Sequence, residues 1–294
     1  MPTPEKHALL SASSAARWLQ CTAAPRYEEQ FPETTSEYAE EGRLAHAICE
    51  LKVLKKFTIQ ITPRTFTGRL NKFKKDPLYT PEMDKMSDLY LEHLTERAMG
   101  YNNVPNVAAE VKVSFEDYVP EGFGTCDCIM IGGDTLSIID FKYGKGVPVS
   151  AEGNPQMRLY ALGALKRYAP IYGNTIKKVS MTIDQPRIRD EVSTETITEE
   201  ELLAWGESIK PRAQMAFMGF GEYHAGEWCR FCRANGMCKA QANQHISAFD
   251  DFKDCVAGHN VAILSPEEVG IVLSRGEDLV TWYEAVKKRA LEVM

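Results

Sequence analysis

The sequence predicts a mixed α/β fold of the α+β kind, ordered as helices, a short sheet, then helix, strand and helix again. Three observations carry that order. Apolar residues recur at helical spacing through the first third of the chain. Between Ala108 and Gly144 the period switches to strand-like alternation, broken by Gly132-Gly133-Asp134. Beyond that, fresh helix starts stand at Asn154, Thr198 and Ser265. No repeat, low-complexity tract or linker divides the chain.

Each element has its own signal. Ser11 or Ser13 caps a short helix through "AARWLQC", which places Cys21 near its C-terminal end. Ser36–Phe57 reads as a longer helix with Leu44, Ala47, Ile48, Leu51 and Leu54 as its apolar stripe. Thr80-Pro81-Glu82 opens another helix, with proline at the first helical position. "AAEVKVSFEDYV" alternates as a strand, and "TCDCIMIGGDTLSIIDFKYG" folds back on itself as a hairpin. Asn154 caps the helix that follows, Lys177–Arg187 is a strand, and Thr198-x-x-Glu201 is a capping box. Ser265-Pro266-x-Glu268 starts the last helices.

Composition bounds the function. Charged residues at 26% and hydrophobic ones at 44% are ordinary for a soluble globular protein. The N-terminus lacks the apolar core of a signal peptide, and no apolar run approaches the ~18 residues of a membrane span. Eight cysteines, three of them in the C-x2-C-x5-C run Cys229, Cys232, Cys238, suit a metal or cluster in a reducing compartment better than a disulfide framework. A cytoplasmic protein without membrane contact is expected.

The net charge of −7 argues against a protein that coats nucleic acid non-specifically. Leu51–Lys75 stands apart from that balance. It carries Lys52, Lys55, Lys56, Arg64, Arg69, Lys72, Lys74 and Lys75 with no acidic residue, interleaved with Phe57, Phe66 and Phe73. It reads either as a phosphate-contacting strip or as a solvated helix end followed by a mobile loop.

The hairpin holds the most informative chemistry. With a two-residue Gly133-Asp134 loop, Gly132 pairs with Thr135, and counting outward sets Asp127 across from Asp140. Lys142, two residues on, shares that face. Two opposed carboxylates repel unless a positive group lies between them, and a divalent cation with oxygen ligands is the natural occupant. The plainer reading is a strand end decorated with charge. Glu110 on the preceding strand faces the same pocket or solvent. His46, with Glu50 at i+4, is a ligand or a surface histidine. Gln156 and Tyr160 stand at i and i+4 on one helix face.

Taken in order, His46, Glu110, "FGTCD", "IIDFK" and "NPQMRLYALG" resemble the PD-(D/E)XK nuclease superfamily. More narrowly they resemble its RecB-like iron–sulfur branch, which includes AddB-type and CRISPR-associated nucleases. "FGTCDCIMI", "DFKYGKGVPVSAEGNPQ" and "LYALGAL" look closest to a phage- and prophage-borne family of that branch. Asp140 stands where many members carry Glu. The resemblance, which covers roughly residues 10 to 240, implies a restriction-endonuclease-like core with a helical N-terminal part, in a nuclease domain over residues 1–245; residues 246–294 match nothing in the family and read as a helical extension. It implies Asp127, Asp140 and His46 as ligands of Mg²⁺ or Mn²⁺, with the Phe141 carbonyl completing the shell. Lys142 would act on the nucleophilic water, and Gln156 and Tyr160 would contact substrate or support Lys142. Glu110 would join them. The implied activity is metal-dependent hydrolysis of DNA from an end, with a single-strand-binding or annealing protein and a ring-like homo-oligomer as expected company.

The same resemblance implies a [4Fe–4S] cluster in which Cys21 joins Cys229, Cys232 and Cys238, stapling a loop of about 200 residues. A local zinc site is the rival, because His224 gives H-x4-C-x2-C-x5-C without Cys21. That rival belongs with a second function, a non-catalytic nucleic-acid-binding accessory protein. Cys126 and Cys128 read as core, pointing together away from the Asp127 face, and Cys49 and Cys255 as buried thiols.

Overall fold

The computed structural model describes residues 8–32, 37–256 and 266–293. Along the chain run α1 (Ala15–Trp18), α2 (Ala24–Glu28), α3 (Glu37–Phe57), α4 (Pro63–Phe73) and α5 (Pro81–Met99), then β1 (Asn106–Ser114), β2 (Phe123–Gly132) and β3 (Thr135–Phe141). There follow α6 (Pro155–Tyr172), β4 (Lys178–Asp184), β5 (Ser193–Thr198), α7 (Glu199–Met218), α8 (Lys239–Val256) and α9 (Pro266–Val293). The architecture is mixed α/β. One compact unit contains the sheet with α3 to α6, and a second joins residues 17–33 to those from 215 onward.

In the first unit the strands lie in the order β1-β2-β3-β4-β5. Only the β3–β4 pair is parallel, and α6 is the crossover that this pairing demands. The central strands are buried almost throughout, which their apolar runs "CIMI", "LSII" and "VSMTI" allow. The edge strand β5, "STETIT", alternates half-buried and exposed positions. Too polar to announce itself, it is absent from the sequence reading. The hairpin turns as expected: Gly132 pairs with Thr135, the ladder runs on to Cys128 and Ile139, and Gly133 takes the positive φ of 57° that a glycine supplies.

Of the stripe assigned to α3, Ile48 and Leu51 are fully buried as read, and packing on the sheet corrects the rest. Ala45, Ile48, Cys49 and Val53 form its core face, against Met83, Met86, Tyr90 and Leu94 of α5 and Cys128, Met130, Ile139 and Phe141 of the sheet. Leu44, Ala47 and Leu54 are only half-buried. Each fully buried side chain in such a cluster contributes roughly 1.5–3 kcal/mol of transfer free energy. The mobile-loop reading of the basic stretch is also corrected, because α4 is a regular helix. Thr62 Oγ1 caps it by accepting from the Thr65 N–H at 3.2 Å, and Pro63 occupies its first turn. The caps of α6 and α7 are as read: Asn154 Oδ1 accepts from the Gln156 and Met157 N–H groups, and Thr198 and Glu201 exchange bonds.

The short helix read over "AARWLQC" ends sooner than expected. Its first turn is a 3₁₀ turn that Ser11 does not cap through its side chain, and α1 stops at Trp18. Cys21 lies in the following turn, held by its N–H to the Arg17 carbonyl at 2.8 Å. Residues 17–33 are laced to the distant segment by buried Glu28, which receives Arg17 at 3.0 Å and the Arg233 N–H at 2.8 Å. Thr22 Oγ1 accepts from the Glu222 N–H at 2.9 Å. Among the described residues no helix is long and apolar enough to cross a membrane.

Candidate functional site

The site forms where the β2–β3 hairpin opens. Asp127 and Asp140 stand one step beyond the last ladder pair, Cys128 and Ile139. His46 projects from α3, its Nδ1 3.2 Å from Asp127 Oδ1 and its ring edge-on to Phe141. The Phe141 N–H donates to Asp127 Oδ2 at 2.8 Å. From β1 comes Glu110, and one ligand atom each from His46, Glu110 and Asp127 lie within 4.8 Å of one another. Asp140 stands beside this trio rather than in it. Its Oδ2 meets Lys142 Nζ at 2.9 Å and its Oδ1 accepts from Gln156 Nε2 at 3.0 Å. Lys142 Nζ donates in turn to Gln156 Oε1 at 3.2 Å, so Gln156 ties the carboxylate to the ammonium. Tyr160, one turn along α6, is buried with its ring against Gly124, where a Cβ would lie 2.6 Å from it.

β1 is distorted at this point. Its ladder with β2 keeps one register on both sides, from Ala109–Cys128 to Val111–Cys126, but skips the Glu110–Asp127 pair. Glu110 has φ 48°, a left-handed conformation that costs a non-glycine residue about 1–2 kcal/mol. The break also overturns the expectation that Cys126 and Cys128 point the same way. Cys128 joins the core of α3 and α5, whereas Gly124, two residues before Cys126 on the same strand, faces the Tyr160 ring of α6.

Electrostatics follow from crowding acids in a half-dry site. Burial, reinforced by Asp127, pushes the Glu110 carboxyl up to about 8. Burial opposes the charge on His46, but Asp127 outweighs it and raises the imidazole to about 9. Lys142 is also held above its ordinary value, because Asp140 and Asp127 outweigh burial. Asp127 stays low against burial, through His46, Lys142 and the Phe141 N–H. Asp140 is raised, chiefly by burial.

All seven side chains singled out from sequence meet here, with Phe141. Sequence reasoning missed two supports. The Asp184 carbonyl accepts the Lys142 N–H at 2.8 Å, and Gln185 pins the loop after Lys142 through Gly144, Val147 and Val149. "DQ" at the end of an apolar strand is the signal that could have found them. Asp184 also holds His93 at 2.7 Å, in a cleft of about 670 Å³ that none of the seven lines.

In the second unit Cys21, Cys229, Cys232 and Cys238 line one cavity with Tyr27, His224 and Trp228. Burial raises the Cys229 thiol, with Cys21 and Cys238 adding to it, and burial with Glu28 pushes Cys232 up to about 12. No three of these sulfurs come within 4.8 Å of one another. His224 is exposed, its Nε2 3.1 Å from Glu222. Cys49 is buried, as read; the side chain of Cys255 lies outside the described residues.

A family model described as "Protein of unknown function (DUF2800)" matches residues 7–294. Among solved structures the chain is distantly similar to a protein from Eubacterium rectale named provisionally as an exonuclease, at 11% identity and TM-score 0.38, over 87% of this chain and 90% of that one. It is also similar to an alkaline exonuclease from Laribacter hongkongensis, at 11% identity and TM-score 0.29, over 59% and 84%.

Proposed function

The chain belongs to the DUF2800 family, and we propose that it is a divalent-metal-dependent deoxyribonuclease with a RecB-like PD-(D/E)XK core. The observation that carries this reading is the bonded array Asp140–Lys142–Gln156 beside the His46–Glu110–Asp127 trio. A cation fits there: ligand atoms of His46, Glu110 and Asp127 already converge, and burial with Asp127 pushes the Glu110 carboxyl toward neutrality. His46, Asp127, Asp140, Glu110 and the Phe141 carbonyl would hold it. Mg²⁺ or Mn²⁺, when bound, polarises the phosphate and acidifies a bound water.

The chain's own groups do the rest. Lys142 keeps its proton at neutral pH, so it serves as a donor that orients water and neutralises charge growing on the phosphate. Gln156 fixes the spacing of Lys142 and Asp140. Tyr160, wedged against Gly124, supports that helix face toward the substrate backbone. Water attacks phosphorus in line, the bond to the leaving sugar oxygen breaks, and that oxygen takes up a proton.

Attack from a DNA end, a role in recombination of mobile DNA, and company with an annealing or single-strand-binding protein or further copies of the chain complete the reading on sequence resemblance. For the four cysteines we favour a structural [4Fe–4S] cluster over zinc.

The test is degradation of linear and covalently closed DNA in Mg²⁺, Mn²⁺ or EDTA. Hydrolysis of linear DNA alone, lost in EDTA and reduced at least ~10²-fold in Lys142→Ala of unchanged melting temperature, is expected. Equal attack on closed circles makes it an endonuclease. No hydrolysis with either metal leaves the non-catalytic reading.

A further inference from the structure

α4 presents a cationic face with nothing on it. Arg64 and Lys72 lie two turns apart with Gly68 between them, and Arg69 is one turn from Lys72. All three cations are exposed, and none forms an ion pair among the described residues. Lys56 and Lys75 extend the exposed charge at either end. Two members of the sequence strip drop out: Lys52 is buried against Asp84 and Asp88, and Lys74 pairs with Asp84 at 2.6 Å. A free cationic face on a chain of net charge −7 is a local design rather than bulk composition.

The aromatics decide what it fits. Single-strand binders stack bases on exposed rings, but Phe57 and Phe73 pack against the core cluster and Phe66 is half-buried. What remains exposed contacts phosphate only, on a rigid helix that itself packs on α3. α3 also carries His46, ten residues before Lys56, about 15 Å along the axis or some four base pairs of duplex.

We propose that the outer face of α4 docks the phosphate backbone of duplex DNA, continuing a contact that Lys56 of α3 makes about four base pairs from the reacting phosphate. This rests on the nuclease reading for its placement, though not for the contact itself.

The test is binding of a duplex of about 20 base pairs, without divalent metal, between about 50 and 200 mM salt. Losing three phosphate contacts in Arg64→Ala/Arg69→Ala/Lys72→Ala lowers the salt slope by about 2.7, so across that range wild type loses roughly 40-fold more affinity than the variant. Arg64→Lys/Arg69→Lys keeps the wild-type slope, and hydrolysis of bis-(p-nitrophenyl) phosphate, too small to reach α4, is the same in all three proteins. An unchanged slope in the alanine variant overturns the proposal. So does an equal loss in the charge-conserving variant, or a change seen on single strands and not on duplex. If the slope falls as expected but no protein hydrolyses the small ester, the docking face stands and the nuclease reading falls.

Discussion

Glu110 and Asp127 face each other across β1 and β2 at the one position the ladder skips, with Glu110 held at φ 48°. Strain of this kind persists where the surroundings impose it, and here it turns a carboxyl toward Asp127 and His46. Glu110→Gly removes both the strain and a half-buried acid. It is expected to stabilise the metal-free protein by about 1 kcal/mol while weakening Mn²⁺ binding at least about tenfold. Urea denaturation and a metal titration check the two halves. A variant that is less stable would show that the left-handed turn is not under strain.

The same cluster sets a pH dependence. The native protein retains the Glu110 proton up to about 8, whereas the unfolded chain releases it near 4.5, so this contribution falls as pH rises between those values. His46, raised from 6.5 to about 9, contributes stability that is complete below 6.5 and lost as pH climbs through 9. Both losses overlap from about pH 6.5 to 8. Metal-free protein therefore melts progressively lower across that window, Glu110→Gln flattens part of the decline, and saturating Mn²⁺ opposes it because the metal displaces those protons. A melting temperature that stays level without metal would contradict the crowded-acid picture.

The hairpin was legible because a glycine turn fixes register, and register alone brings Asp127 opposite Asp140. Helix spacing likewise set Gln156 and Tyr160 on one face, but only the family resemblance brought Gln156 to Lys142, where it accepts from Nζ at 3.2 Å. Glu110 was harder: counting residues cannot show a strand that breaks its ladder, and the break also sends Cys126 and Cys128 to different sides. β5 hid because edge strands are polar, and α4 because proline, threonine and glycine mask a helix whose apolar face is only Phe66, Leu70 and Phe73. Asp184 and Gln185, which support Lys142 and the loop after it, were missed because the polar pair closing an apolar strand was not weighed as part of the site.

The cysteine cavity gives a prediction about metal content. Its raised thiols must lose protons to bind a metal, so loading is steeply favoured by higher pH. Protein purified without oxygen is expected to be brown with about four irons per chain. Cys21→Ala should bleach it and lower its melting temperature. A colourless protein that holds one zinc in both forms would place the site at His224 and detach it from Cys21.

Gly124 offers a test of Tyr160 that leaves the polar groups alone. A Cβ at this position would lie 2.6 Å from the Tyr160 ring, inside any real contact distance, and the ring is fixed on a buried helix face. Gly124→Ala must therefore displace Tyr160 or part α6 from β2, at about 1–3 kcal/mol. If Tyr160 supports the Gln156–Lys142 face, the rate falls about tenfold or more with metal affinity unchanged. Pairing the substitution with Tyr160→Leu removes the clash and should restore the melting temperature without restoring the rate. Recovery of both in the double variant would reduce Tyr160 to packing alone.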